Sequence, residues 1–121
     1  MSKIHSGEVT IVFSDDDERV LRPTLGAATR ISRAFGGFQA AHQKILASDL
    51  DAFVTVIQHG LGLKTEAETR GLRERVWSAG ISKLMLPLVE FVSILANGGR
   101  PIEEEVAEPE GKSKGNEQDD D

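Results

Sequence analysis

Residues 7–27 set out a strand, an acidic turn, a return strand and a helix start in immediate succession, which leaves the first third of the chain little freedom of arrangement. Val9, Ile11 and Phe13 alternate with Glu8, Thr10 and Val12, the period of two expected of a strand with one buried face. Ser14 to Glu18 supplies turn chemistry. The return strand, Arg19 to Pro23, is expected to end at Pro23, because proline has no amide to give to a ladder. A lone hairpin is marginal in water, so its apolar face must lie on helices or add to a sheet from another copy.

Helical patterning takes over at Thr24. That residue is placed to cap a helix whose Leu25, Ala28, Ile31 and Phe35 recur at helical spacing, and Gly36-Gly37 supplies a C-terminal stop. Phe38, Ala41, Ile45 and Leu46 predict a second short helix ending near Ser48. Asp49 can cap a third, with Leu50, Phe53, Val54 and Ile57 in one stripe before Gly60 and Gly62 break it. Thr65 and Glu68 have the capping-box spacing, which starts a fourth helix running to Gly80 with only Leu72, Val76 and Trp77 apolar in its body. A fifth, Ile81 to Ala96, gathers Ser82, Lys83, Glu90 and Ser93 within about 100° and is apolar over the rest of its circumference. Such a helix is either the centre of the bundle or partly covered by another chain. Pro87 predicts a kink near its middle.

The fold class that follows is mainly α: an N-terminal β-hairpin, a small bundle of about five helices and an acidic C-terminal tail. At 121 residues one core is expected, in a single domain over residues 7–99 preceded by a flexible stretch at 1–6. The formal charge of −6 belongs to the tail. Through Gly99 there are 11 acidic and 11 basic residues, whereas residues 100–121 hold 9 and 3. The body therefore presents no broad basic field for a phosphate backbone, and the tail is expected to be disordered for want of apolar groups.

With no cysteine, disulfides and thiolate metal sites are excluded, and the core rests on burial. The first seven residues contain no apolar h-region, which argues against secretion and for a cytoplasmic protein. As a helix, Ile81 to Ala96 would span about 24 Å, short of the ~30 Å hydrocarbon core, so no membrane span is expected.

Signals for chemistry are weak. Asp15-Asp16-Asp17-Glu18 lacks the glycine and the later glutamate of a calcium loop, having Val20 and Gly26 at those places, and reads as a solvated turn. His5, His42 and His59 are scattered, with no second ligand at helical spacing. No serine sits in a glycine-flanked elbow, and no glycine run leads into a lysine and hydroxyl to hold phosphate. Neither catalysis nor a cofactor is expected. Arg70, Arg73 and Arg75, with Arg30 and Arg33 elsewhere, are interleaved with Glu66 and Glu74 and read as a solvated face rather than a nucleic-acid site.

The order of features from Gly7 to about Gly99 resembles the tail assembly chaperone family of gene transfer agents and siphophage-like prophages. The elements that carry the resemblance are Gly7-Glu8-Val9 opening the first strand, Thr24-Leu25-Gly26-Ala27 after the second, and Phe35-Gly36 closing the first helix. The glycine-rich break after Ile57, the helix start at Thr65, Gly80 and the leucine-rich last helix follow in the same order. Arg30 and Arg33 depart from it, since relatives often look more acidic or aliphatic there.

The resemblance implies a nonenzymatic protein that coats the tape measure protein, keeps it soluble, helps recruit tail tube subunits and is absent from the mature particle. The label tail tube protein is also attached to the family, which makes a structural tail component the alternative; a small regulatory binding protein is a third. Holding an extended amphipathic partner requires exposed apolar surface. Leu61, Leu63, Leu86, Val89 and Phe91 are the expected contacts for the tape measure or for self-association, with Trp77 on the neighbouring helix as a further candidate.

Overall fold

The computed structural model describes residues 7–101. The expected flexible stretch at 1–6 and the acidic tail lie outside these residues, apart from Arg100 and Pro101. Strand β1 (Val9–Ser14) pairs antiparallel with β2 (Asp17–Leu21), with Val9 opposite Leu21 and Ile11 opposite Arg19. A register shift between Val12 and Ser14 leaves Phe13 as an extra residue. The return strand therefore starts two residues earlier than expected and stops at Leu21. Asp17 is drawn into the ladder because its carboxylate is held by Arg19 at 2.8 Å and approached by Arg75 at 3.9 Å.

Six helical segments follow among the described residues: α1 (Leu25–Phe35), α2 (Phe38–Leu46), α3 (Leu50–Leu61), the single turn α4 (Glu66–Thr69), α5 (Leu72–Ala79) and α6 (Ile81–Ala96). Their starts follow local chemistry. The Thr24 hydroxyl accepts from the Ala27 amide at 3.0 Å, the Asp49 carboxylate from Ala52 at 3.2 Å, and Thr65 and Glu68 form the reciprocal capping box. Gly36 closes α1 in the left-handed region, its amide returning to the Ser32 carbonyl at 2.8 Å.

Two boundaries differ from expectation. The segment after Thr65 is not one helix: Arg70 is extended and Gly71 left-handed, so α4 ends after one turn and α5 begins anew. Gly60 does not break α3 but lies buried inside it. Gly62 is the left-handed cap, and the Leu63 amide donates back to the Gln58 carbonyl at 3.0 Å.

The core gathers Ile11, Leu21, Ile31, Ile45, Phe53, Ile57, Leu72, Val76, Leu84, Leu88 and Phe91. The inward face of the hairpin lies across α3, α5 and α6, while α2 packs along α6 and α1 packs on α2 and α3. Of the two settings expected for the hairpin, helices supply the cover. Helix α6 is the central element: Leu84, Leu88, Phe91, Val92, Ile94 and Leu95 are all buried, and the helix continues through Pro87.

At the far end of the molecule, three chain segments meet. A Cβ placed on Gly7 would stand 2.5 Å from the Gly99 carbonyl oxygen, and one on Gly99 would stand 2.9 Å from that of Pro23. Both glycines also have positive φ, so backbone conformation and close approach select the same residue. Among the described residues, no single helix is long and apolar enough to cross a membrane.

Candidate partner-binding surface

The side chains expected to meet a partner fall into three environments. Phe91 is fully buried, at 0% exposure, between the hairpin and α3 side of the core, so it cannot touch a partner while the domain is folded. This corrects the expectation, and the cause is angular: at about 100° per residue, Phe91 stands roughly 140° from Leu86 on α6, on the side turned inward.

Leu61, Leu63 and Val89 are half-buried and packed against the core. Leu61 is the last residue of α3, and Leu63 follows the glycine cap in the position where such turns fold an apolar residue back onto the helix. Their burial accounts for their apolar character without a partner.

Leu86 and Trp77 are the outward ones, 77% and 68% exposed. Leu86 lies in the middle of the polar stripe of α6, flanked around the helix by Ser82, Lys83, Glu90 and Ser93, of which the first three are exposed. Trp77 projects from α5, one position after buried Val76. Core burial, the ordinary expectation for a tryptophan near the end of an amphipathic helix, does not apply to it. Helices α5 and α6 adjoin at Gly80 and pack on one another, which sets these two residues on consecutive elements.

A concave feature elsewhere on the molecule was not indicated by the sequence. Pro23, Leu25, Ala28, Phe38 and Leu95 line an open groove of about 600 Å³ between α1 and the end of α6, with Arg33 also in its wall and Gly98 and Gly99 at one lip. Leu25, which the spacing assigned to the core stripe, is 83% exposed here, and Ala27 is buried in its place. Around α1, Leu25 shares a side with Ala28, Thr29 and Ser32, about 120° from Ile31. The signal available in the sequence was the mismatch between Leu25 and the tighter Ala27, Ile31 pair. The other wall, some seventy residues away, had none.

Charged groups form local pairs. Arg73 binds Asp51, Arg75 approaches Asp17, and Arg22 binds Glu8 at 2.5 Å. Two of the arginines considered for phosphate binding thus face carboxylates. Among the described residues, no three His, Asp or Glu side chains come together as a metal site. His59, half-buried near the end of α3, is held below its ordinary value of 6.5, first by burial and then by the charge of Arg30. Glu68 is held below the usual carboxylate range by the Thr65 and Lys64 amides it accepts from. Both shifts follow from local structure rather than from a reactive constellation.

Compared with family models, curated proteins and solved structures, the chain finds no match.

Proposed function

We propose that this domain is a nonenzymatic chaperone of phage-like tail assembly, which binds the tape measure protein, keeps it soluble and helps bring tail tube subunits to it. The observation that supports this reading best is Leu86, an apolar side chain 77% exposed in the middle of the polar stripe of α6, with Trp77 exposed on the preceding helix. Single exposed apolar residues are ordinary on soluble proteins. An exposed leucine flanked on α6 by Ser82, Lys83 and Glu90, with an exposed tryptophan on the adjoining helix, fits what an amphipathic helical partner requires: an apolar anchor with polar neighbours. The resemblance of the motif order from Gly7 to Gly99 to the tail assembly chaperone family is what suggests the tape measure protein as that partner.

The test is co-expression with a helical tape measure fragment. Leu86→Asp combined with Trp77→Asp is expected to abolish co-purification while far-UV circular dichroism and the melting temperature stay unchanged. Undiminished capture by the double variant would overturn the assignment.

The alternative, a tail component retained in the particle, is favoured by one feature. The sheet has only two strands among the described residues, so each strand keeps one backbone edge to which a strand from another subunit can add. Mass spectrometry of purified particles separates the two: stoichiometric incorporation supports the tail component, and absence supports the chaperone.

A further inference from the structure

The groove between α1 and the end of α6 has an occupant within reach. Gly98 and Gly99 line the lip of this groove, and the described chain ends two residues later at Pro101, so the twenty residues that follow start close to it. Those residues are almost wholly polar, and their only sizeable apolar side chains, Ile102 and Val106, fall in the first five positions. Between them stand Glu103, Glu104 and Glu105. The groove offers the complementary set: Leu25, Ala28, Phe38 and Leu95 as apolar wall and Arg33 at the rim. Among the described residues Arg33 forms no ion pair.

We propose that residues 102–106 of this same chain seat in the groove, with Ile102 and Val106 against Leu25, Phe38 and Leu95 and the acidic run between them drawn towards Arg33. Five residues span at most about 17 Å, which keeps the segment close to the groove beside its own exit. A tether this short gives an effective concentration on the order of millimolar, so weak contacts suffice to keep the site filled. The tail is then a built-in competitor: any external segment that uses this groove must displace it. The inference does not rest on the partner proposed for Leu86 and Trp77, since neither residue lines this groove.

The chain contains no cysteine, so Ala107→Cys in the full-length protein provides a unique attachment point for a nitroxide spin label. Methyl signals of Leu25, Ala28 and Leu95 are expected to lose more than half their intensity relative to the reduced label, equally at high and low protein concentration. Leu25→Asp, at a position that is 83% exposed and therefore tolerant, is expected to reduce this loss at Ala28 and Leu95 to the lower level that the short tether alone produces. Arg33→Glu should weaken it, and combining that change with lysines at 103–105 should restore it. Three outcomes overturn the proposal: no broadening at the groove, broadening at Leu86 instead, or broadening that passes to isotope-labelled molecules mixed with unlabelled spin-labelled ones, which would make a second copy the occupant.

Discussion

The amide of Arg22 donates to the carbonyl of Gly60 at 2.9 Å, so the exit of the hairpin is bonded to the last turn of α3. A carbonyl so near a helix end has no partner four residues on, and the hairpin supplies one. The same crossing fixes the residue type, since a Cβ on Gly60 would lie 2.9 Å from Leu21 Cδ2 and 3.0 Å from Phe91 Cε2.

Gly60→Ala is accordingly expected to destabilise the domain. Alanine gains helix propensity but must push apart two fully buried side chains, and overpacking of this kind costs about 1–3 kcal/mol. Urea unfolding measures it, and an unchanged midpoint would show that the crossing relaxes freely.

Gly36 should behave differently, since a Cβ there meets nothing within 4 Å while φ is +81°. Gly36→Ala then costs only the left-handed conformation, about 1 kcal/mol, and Gly36→Asn less. Equal losses for the two variants would contradict a purely conformational origin.

Phe91 and Leu86 lie five residues apart on α6 and make opposite predictions. Phe91→Ala empties a fully buried site and is expected to cost about 3–5 kcal/mol. Leu86→Ala, on the exposed side, should stay within about 0.5 kcal/mol and lower only the capture of a helical partner. Thermal unfolding read beside a pull-down distinguishes them.

His59 gives the pH dependence a sign. Its pKa in the fold is below 6.5, so the unfolded chain takes up the proton first, and the stability this group contributes is complete above 6.5 and lost as pH falls through the interval beneath it. His59→Gln should flatten the unfolding midpoint between pH 7 and 5. Replacing Arg30 with glutamine should raise the His59 titration seen by NMR, because one of its two causes is then gone.

The caps at Thr24, Asp49 and Thr65, the period of two in β1 and the limits of α6 were legible in the sequence because each is decided within a few residues. What escaped was decided at a distance. Gly60 reads as a helix breaker by propensity, yet α3 continues through it because the hairpin and Phe91 need the room. Three-quarters of α6 is apolar, so periodicity alone could not tell which leucine faces outward; the packing of α2, α3 and α5 makes that choice. The groove was invisible for the same reason, its walls being contributed by residues 23–38 and 95–99.

The contact of Gly7 with Gly99 makes the folded region nearly a closed ring. A short peptide bridge from one to the other, with the backbone opened instead between Asp15 and Asp16 at the exposed hairpin tip, would preserve every helix and its order of packing. Such a rewired molecule would carry its acidic extension at the hairpin tip, or not at all, with Trp77 and Leu86 unchanged on their helices.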